Sequence, residues 1–263
     1  MKRAAAPLMV VSSSRCPEDY LRLALEATSP GQRARLAQQG LEAAAPGDLV
    51  PDTEALLLRQ LYLAHLDSAH LDSARVDSAH LQEAARAALA MVATGVLRDI
   101  AHHDASRALA ALGDRDGAIA QQRLAARASP PERRSFHYWA LGTLLQLAGD
   151  LDAAAAAMAR GERWAHVDRP LLRAHRAWVR LEAGHGVRGL DTIVRDLESA
   201  KCGRGYGQLV LGMLRHWMGD DRRAAVNLRA FLRRNAGADP AKAITLREEI
   251  HRARKVLAEL ESD

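Results

Sequence analysis

Apolar positions along this chain recur at helical spacing, in short blocks punctuated by glycine, proline and aspartate. The clearest block is LLQLAGDLDAAAAAMARGER, from Leu144 to Arg163. Its first apolar run stops at Leu147-Ala148, Gly149-Asp150 interrupts it, and an alanine-rich run that Met158 completes follows Asp152. Glycine releases a helix because it enters the left-handed conformation without a Cβ clash, and aspartate can accept from the unsatisfied amides that open the next helix. The block predicts a helical hairpin.

The same reading applies upstream. Pro17 and Glu18-Asp19 open a short helix through YLRLALEA, which Thr28-Ser29-Pro30-Gly31 ends. QRARLAQQGLEAAA places Leu36, Gly40 and Ala43-Ala44 near one face, and Pro46-Gly47 stops it. Pro51-Asp52 open TEALLLRQLYLAHL, where Leu57, Leu61 and Ala64 share a face; Gln82 to Met91 is again helical, ended by Thr94-Gly95. Between these, AHLDS, AHLDS, ARVDS, AHLQE repeats every five residues from Ala64. Five residues advance an α-helix by about 500°, so Leu66, Leu71, Val76 and Leu81 cannot form one straight stripe. The expectation over 64–83 is an expanded connection or irregular helix pair, with a short β-coil as the alternative. His65, His70 and His80 are expected to be mostly exposed, and their spacing of five and ten residues makes a weak metal site.

Four glycines turn hairpins into an architecture. Gly113, Gly149, Gly184 and Gly219 are separated by 36, 35 and 35 residues, one helical pair plus a linker each time. The units run over 99–130, 135–166, 170–201 and 205–236. Tyr138, Leu141 and Gly142 precede Ala154 and Met158, and Gln208, Leu211 and Gly212 precede Ala224, Leu228 and Phe231 in the same order. These positions resemble the tetratricopeptide-repeat family, whose units are about 34 residues long, as a divergent, bacterial-type member. The third unit is degenerate, with Gly189 in place of a packing alanine.

The resemblance covers 99–236 and extends in divergent form through 31–92. It implies an all-α, right-handed superhelical α-solenoid of antiparallel helix pairs with a C-terminal capping helix. The expected divisions are a flexible segment at 1–16, a divergent helical repeat region at 17–98, tetratricopeptide-like repeats at 99–238 and the cap at 239–263. The final segment, AKAITLREEIHRARKVLAEL, is read as one helix with Ile244, Ile250, Ala253 and Leu257 for packing.

Composition agrees with helices packed on helices: 48% of the 263 residues are hydrophobic but only 4% aromatic, so the interior is built from alanine, leucine and valine. The net charge of +5 is uneven. Residues 1–130 hold 14 basic and 15 acidic groups, whereas residues 131–263 hold 23 and 17. The second half therefore raises nucleic acid or another anionic polymer as an alternative partner; arginines alternate with acids there and no recognition motif accompanies them, so nucleic acid is not the expected one. Cys16 and Cys202 are too few for a disulfide framework. The apolar stretch after Lys2-Arg3 is short and broken by Pro7, so cytoplasmic location is expected ahead of export, and no segment is long enough to span a membrane.

No phosphate loop, metalloprotease pair or nucleophile elbow is present, and no enzyme activity or cofactor is expected. The resemblance implies instead that the first helices line a concave surface that binds a protein or peptide segment. The inward positions are His103 and Arg107, then Trp139, Thr143 and Gln146, then Trp178, then Tyr206, Met213, His216 and Trp217. The asparagines of the peptide-carboxylate clamp found in some family members are absent. A scaffold or adaptor role is the leading expectation, and self-association through an exposed end is a further one.

Overall fold

The computed structural model describes residues 15–45, 47–69 and 77–262. Among the described residues fourteen α-helices follow one another: α1 Pro17–Glu26, α2 Pro30–Glu42, α3 Pro51–Ser68, α4 Ser78–Ala93, α5 Arg98–Leu112, α6 Arg115–Ala128, α7 Pro131–Leu147, α8 Leu151–Trp164, α9 Arg169–Glu182, α10 Leu190–Ser199, α11 Gly207–Trp217, α12 Asp221–Asn235, α13 Pro240–Thr245 and α14 Arg247–Leu260. A 3-10 turn at Lys201–Arg204 precedes α11, and no strand occurs among the described residues. Consecutive helices pack in pairs, giving the expected all-α solenoid. No described helix is long and apolar enough to cross a membrane.

The glycine period has a conformational cause. Gly113, Gly149, Gly184 and Gly219 adopt φ of +88°, +86°, +77° and +74° at the ends of α5, α7, α9 and α11. In each case the next amide reaches back to a carbonyl five residues earlier, as Asp150 N–H does to Leu145 at 3.0 Å, which closes the helix end with a Schellman motif. Asp114, Asp150 and Asp220 then accept from the amides of Gly117, Ala153 and Arg223 and start the second helices. The third unit lacks this aspartate. His185 stands in its place, Gly189 becomes a left-handed N-cap, and α10 is only ten residues long.

Small residues recur one level deeper. A Cβ on Gly142 would sit 2.6 Å from Cγ of Met158, and one on Gly212 would sit 2.6 Å from Cδ2 of Leu228. Ser106 holds the same register in the first unit, where its hydroxyl donates to the Ala118 carbonyl at 2.8 Å. Close approach at these points sets the pairing of first and second helices, and Ala118, Ala154 and Ala224 are fully buried opposite them.

The proline positions need one revision. Pro30-Gly31 form the first turn of α2 rather than the end of α1, because proline fits an N1 position whose amide is unsatisfied in any case. The described parts of the pentad segment belong to the end of α3 and the start of α4. His70, Leu71 and Val76, like Pro46 and residues 1–14 of the expected flexible start, lie outside the described residues. His65 and His80 are half-buried rather than exposed, with their Nδ1 atoms 3.1 Å apart.

The C-terminal segment is two helices rather than one. Leu246, at φ −98° and ψ 12°, breaks it. The break has a packing cause: Ala241 and Ile244 of α13 join the core cluster of Tyr62, Leu66, Ala105 and Ala108, while Ala253 and Val256 of α14 join that of Trp178, Leu209, Met213 and Phe231. One straight helix cannot serve both. The segment thus covers the last pair, as a cap does, and also crosses the concave face to α3 and α5.

Candidate functional site

Four residues share one register on successive first helices: Arg107, Thr143, Trp178 and Met213, spaced by 36, 35 and 35 residues. All four are on the face expected to point inward, yet they have different fates. Arg107 and Thr143 line a cleft of about 380 Å³. Trp178 and Met213 are 1% and 4% exposed, because α14 lies over the third and fourth units. Arg252 of α14 places its guanidinium 5.4 Å from the Trp178 ring centroid and donates to Glu182 at 3.0 Å.

The cleft therefore lies beside the first helices of the first two units, on the face that α14 covers farther along the chain. From α5 come His103, Ser106, Arg107 and Ala110; from α7 come Phe136, Trp139, Ala140, Thr143, Leu144 and Leu147. These recur at three- and four-residue spacing, so each set forms one stripe. Tyr206 and the bend from Ile244 to Glu249 form the opposite wall. A second cavity, of about 580 Å³, adjoins it and shares Arg107, Tyr206, Thr245 and Leu246.

Of the ten inward residues, the structure gathers His103, Arg107, Trp139, Thr143 and Tyr206 at this cleft. Gln146 is buried and bonds the neighbouring unit. His216 and Trp217 lie at the end of α11, where His216 Nδ1 is 3.5 Å from Asp221 and Trp217 is 49% exposed away from the cleft. Phe136, 44% exposed, and the α13–α14 bend were not anticipated. Phe136 was legible as the next member of the stripe through Trp139 and Thr143. The bend was not, since its contacts join residues 138 apart, as in the Arg107 Nη2 donation to Thr245 Oγ1 at 2.7 Å.

Behind the cleft, polar chains lock the units together. Trp139 Nε1 donates to His175 Nδ1 at 3.0 Å, which leaves His175 Nε2 as donor to Gln146 Oε1 at 2.7 Å. The Gln146 amide then donates to Glu182 at 2.7 Å, and Arg252 closes the chain on the same carboxylate. A parallel chain runs from His103 through Gln122 to the His137 carbonyl, with His137 and Arg133 both on Asp99. Burial pushes His175 down to about 3 and His103 down to about 4, so both are neutral donors and acceptors. Burial works against ionised Asp99, but the Arg133 fork and His137 prevail and hold its carboxyl below the usual range.

The opposite wall behaves differently. Burial raises Glu249 to about 7 and raises Tyr206 well above the ordinary phenol range, and the Tyr206 hydroxyl donates to Glu249 at 3.4 Å. The arrangement offers aromatic and apolar area, a few fixed donors, the cations Arg107, Arg115 and Arg247, and the acids Glu248 and Glu249.

No family profile and no curated protein matches this chain. Among solved structures it is similar to the crystal structure of the APC/C hetero-tetramer Cut9–Hcn1, at 14% identity and a TM-score of 0.49. The match covers 93% of this chain and 55% of that one, so the chain spans about half the length of that neighbour.

Proposed function

We propose that this chain is a non-enzymatic, tetratricopeptide-like interaction scaffold that holds a segment of a partner protein in the cleft beside the first helices of its first two units. One observation carries the reading. Register positions that α14 covers in the third and fourth units line a cleft in the first and second, at Arg107, which α13 engages through Thr245, and at Thr143. The covered part is occupied by an amphipathic helix whose apolar face, Ala253 and Val256, is buried and whose Arg252 pairs with Glu182. The cleft presents Phe136 and Trp139 beside His103, and aromatic anchors of this kind contribute much of the affinity at protein interfaces.

The basic second half gives less support to an anionic polymer. Arg133, Arg173, Arg176, Arg215, Arg223, Arg229, Arg247 and Arg252 each pair with a carboxylate. Self-association has only scattered apolar residues behind it, such as Val167 at 74% exposure.

Affinity capture from cells tests the scaffold reading, comparing the natural chain with Phe136→Asp and Trp139→Ala. Val226→Asp, at an exposed site on α12, serves as the off-surface control. The expected result is a partner retained by the control and lost by both cleft variants. Partners bound equally by all four proteins would reject this surface.

A further inference from the structure

The two adjoining cavities differ in chemistry. The larger is lined by Arg107, Arg234 and Lys242, and none of these three makes an ion pair among the described residues. The Arg107 Nε is buried without a hydrogen-bond partner, although its Nη2 is engaged by Thr245. Three cations without a carboxylate partner at one cavity favour an oxyanion, which accepts charge-assisted hydrogen bonds from such groups. The smaller cavity is walled by Ala140, Leu144 and Leu147 with Phe136 and Trp139 at its side, and Arg115 and Arg247 also line it. Because the cavities share Arg107, Tyr206, Thr245 and Leu246 as lining, a cationic space and a mainly apolar one lie side by side.

The acids facing this cleft leave the cationic end in excess, with Asp239 its one lining carboxylate against Arg107, Arg234 and Lys242. Asp239 accepts from the Lys242 backbone amide at 2.8 Å and so caps α13. Glu248 is 3.4 Å from Arg247, and Glu249 is buried against Tyr206. Each volume, about 580 and 380 Å³, lies within the range of roughly 300–1,000 Å³ typical of small-molecule sites.

We propose that the cleft between α5, α7 and the α13–α14 bend binds a small amphiphilic anion, a medium-chain carboxylate. Its head group sits among Arg107, Arg234 and Lys242, and its chain runs along Ala140, Leu144 and Leu147. The C-terminal bend forms one wall, so the ligand fastens α13 to the concave face. A cationic or purely polar molecule would match only one end.

Titration calorimetry at neutral pH with decanoate, below its micellar range, tests this on the full chain. Inorganic phosphate probes the head site alone, and decyltrimethylammonium carries the same chain on the opposite charge. Saturable one-to-one binding of decanoate is expected. Each partial probe should bind at least tenfold more weakly. The Arg107→Gln, Lys242→Gln double variant should weaken decanoate by roughly tenfold or more, in line with losing charge-assisted hydrogen bonds. Ala140→Phe should do the same by filling the apolar end, with Ala111→Phe as a second obstruction if the first does not fold; circular dichroism reports folding for each. Four results would overturn the proposal: no saturable binding, phosphate matching decanoate, decyltrimethylammonium matching decanoate, or affinity within twofold after the double substitution. Both readings use this cleft, so the two occupants compete; the pure ligands need no protein partner, so failure of partner capture leaves this outcome independent.

Discussion

Protonating His175 should loosen the array in a calculable way. Its ring is fully buried, stacked on Trp178 with centroids 5.0 Å apart, and both nitrogens are engaged, one accepting from Trp139 and one donating to Gln146. A second ring proton would point at the Trp139 N–H, and the nearby Arg252 adds repulsion. Burial lowers the folded-state value to about 3 from an ordinary 6.5. The unfolded chain therefore takes up this proton first as pH falls. Stability from this group is complete above about 6.5 and declines toward pH 3, by about 1.4 kcal/mol per pH unit. Between pH 6.5 and 4.5 the integrated loss is about 2 kcal/mol, allowing for half-titration of the unfolded residue at the upper limit.

Other groups act in the same window. His103 adds a loss of the same sign. Glu249 opposes it: its folded value is raised, so its contribution is fully present below about 4.5 and is lost as pH rises through about 7. The difference between two proteins isolates His175. Urea unfolding of the natural chain and of His175→Gln at pH 6.5, 5.5 and 4.5 should give curves whose free-energy gap narrows by about 2 kcal/mol across the series. Gaps constant within about 0.5 kcal/mol would refute the argument.

Gly142→Ala should destabilise by about 1–3 kcal/mol, seen as a lower Tm, because its Cβ would meet Met158 and the Ala154 carbonyl. Gly149→Ala has open space around it but sits at φ +86°, so a loss of about 1–2 kcal/mol would come from backbone strain alone. Asp150→Ala removes the cap on α8 and should cost about 1 kcal/mol in denaturant titration, with no change in helix content at low temperature. Glu249→Gln should gain on the natural chain by about 1.4 kcal/mol per pH unit between pH 5 and 7 in chemical unfolding, since it removes the expense of ionising a buried acid.

Local features of the fold were the legible ones. The positive φ of Gly113, Gly149, Gly184 and Gly219 and the caps at Asp114, Asp150 and Asp220 are properties of adjacent residues, so spacing alone locates the pairs. The weak third unit was visible too, in Gly189. Which inward positions stay open was not visible. Thr143 and Met213 share a register, and what separates them is a helix more than thirty residues farther along that bends at Leu246. No periodicity in α11 encodes that cover. Gln146 illustrates the same limit: it reads as a groove residue by position and proves to be mortar between units, because its partners His175 and Glu182 come from the neighbouring repeat.

A linear stack of repeats can lose or gain a unit at either end, since each unit touches only its neighbours. The α13 crossing removes that freedom. Ala241 and Ile244 complete a cluster begun at Tyr62 and Leu66, so the chain is fastened into a loop whose circumference is fixed by the number of pairs between. An inserted or deleted unit would shift α13 off its seat. Fraying at the C-terminal end would be felt at α3, and the two ends should melt together rather than in sequence. The molecule is built less like an extensible chain than like a buckled strap, cut to a single length.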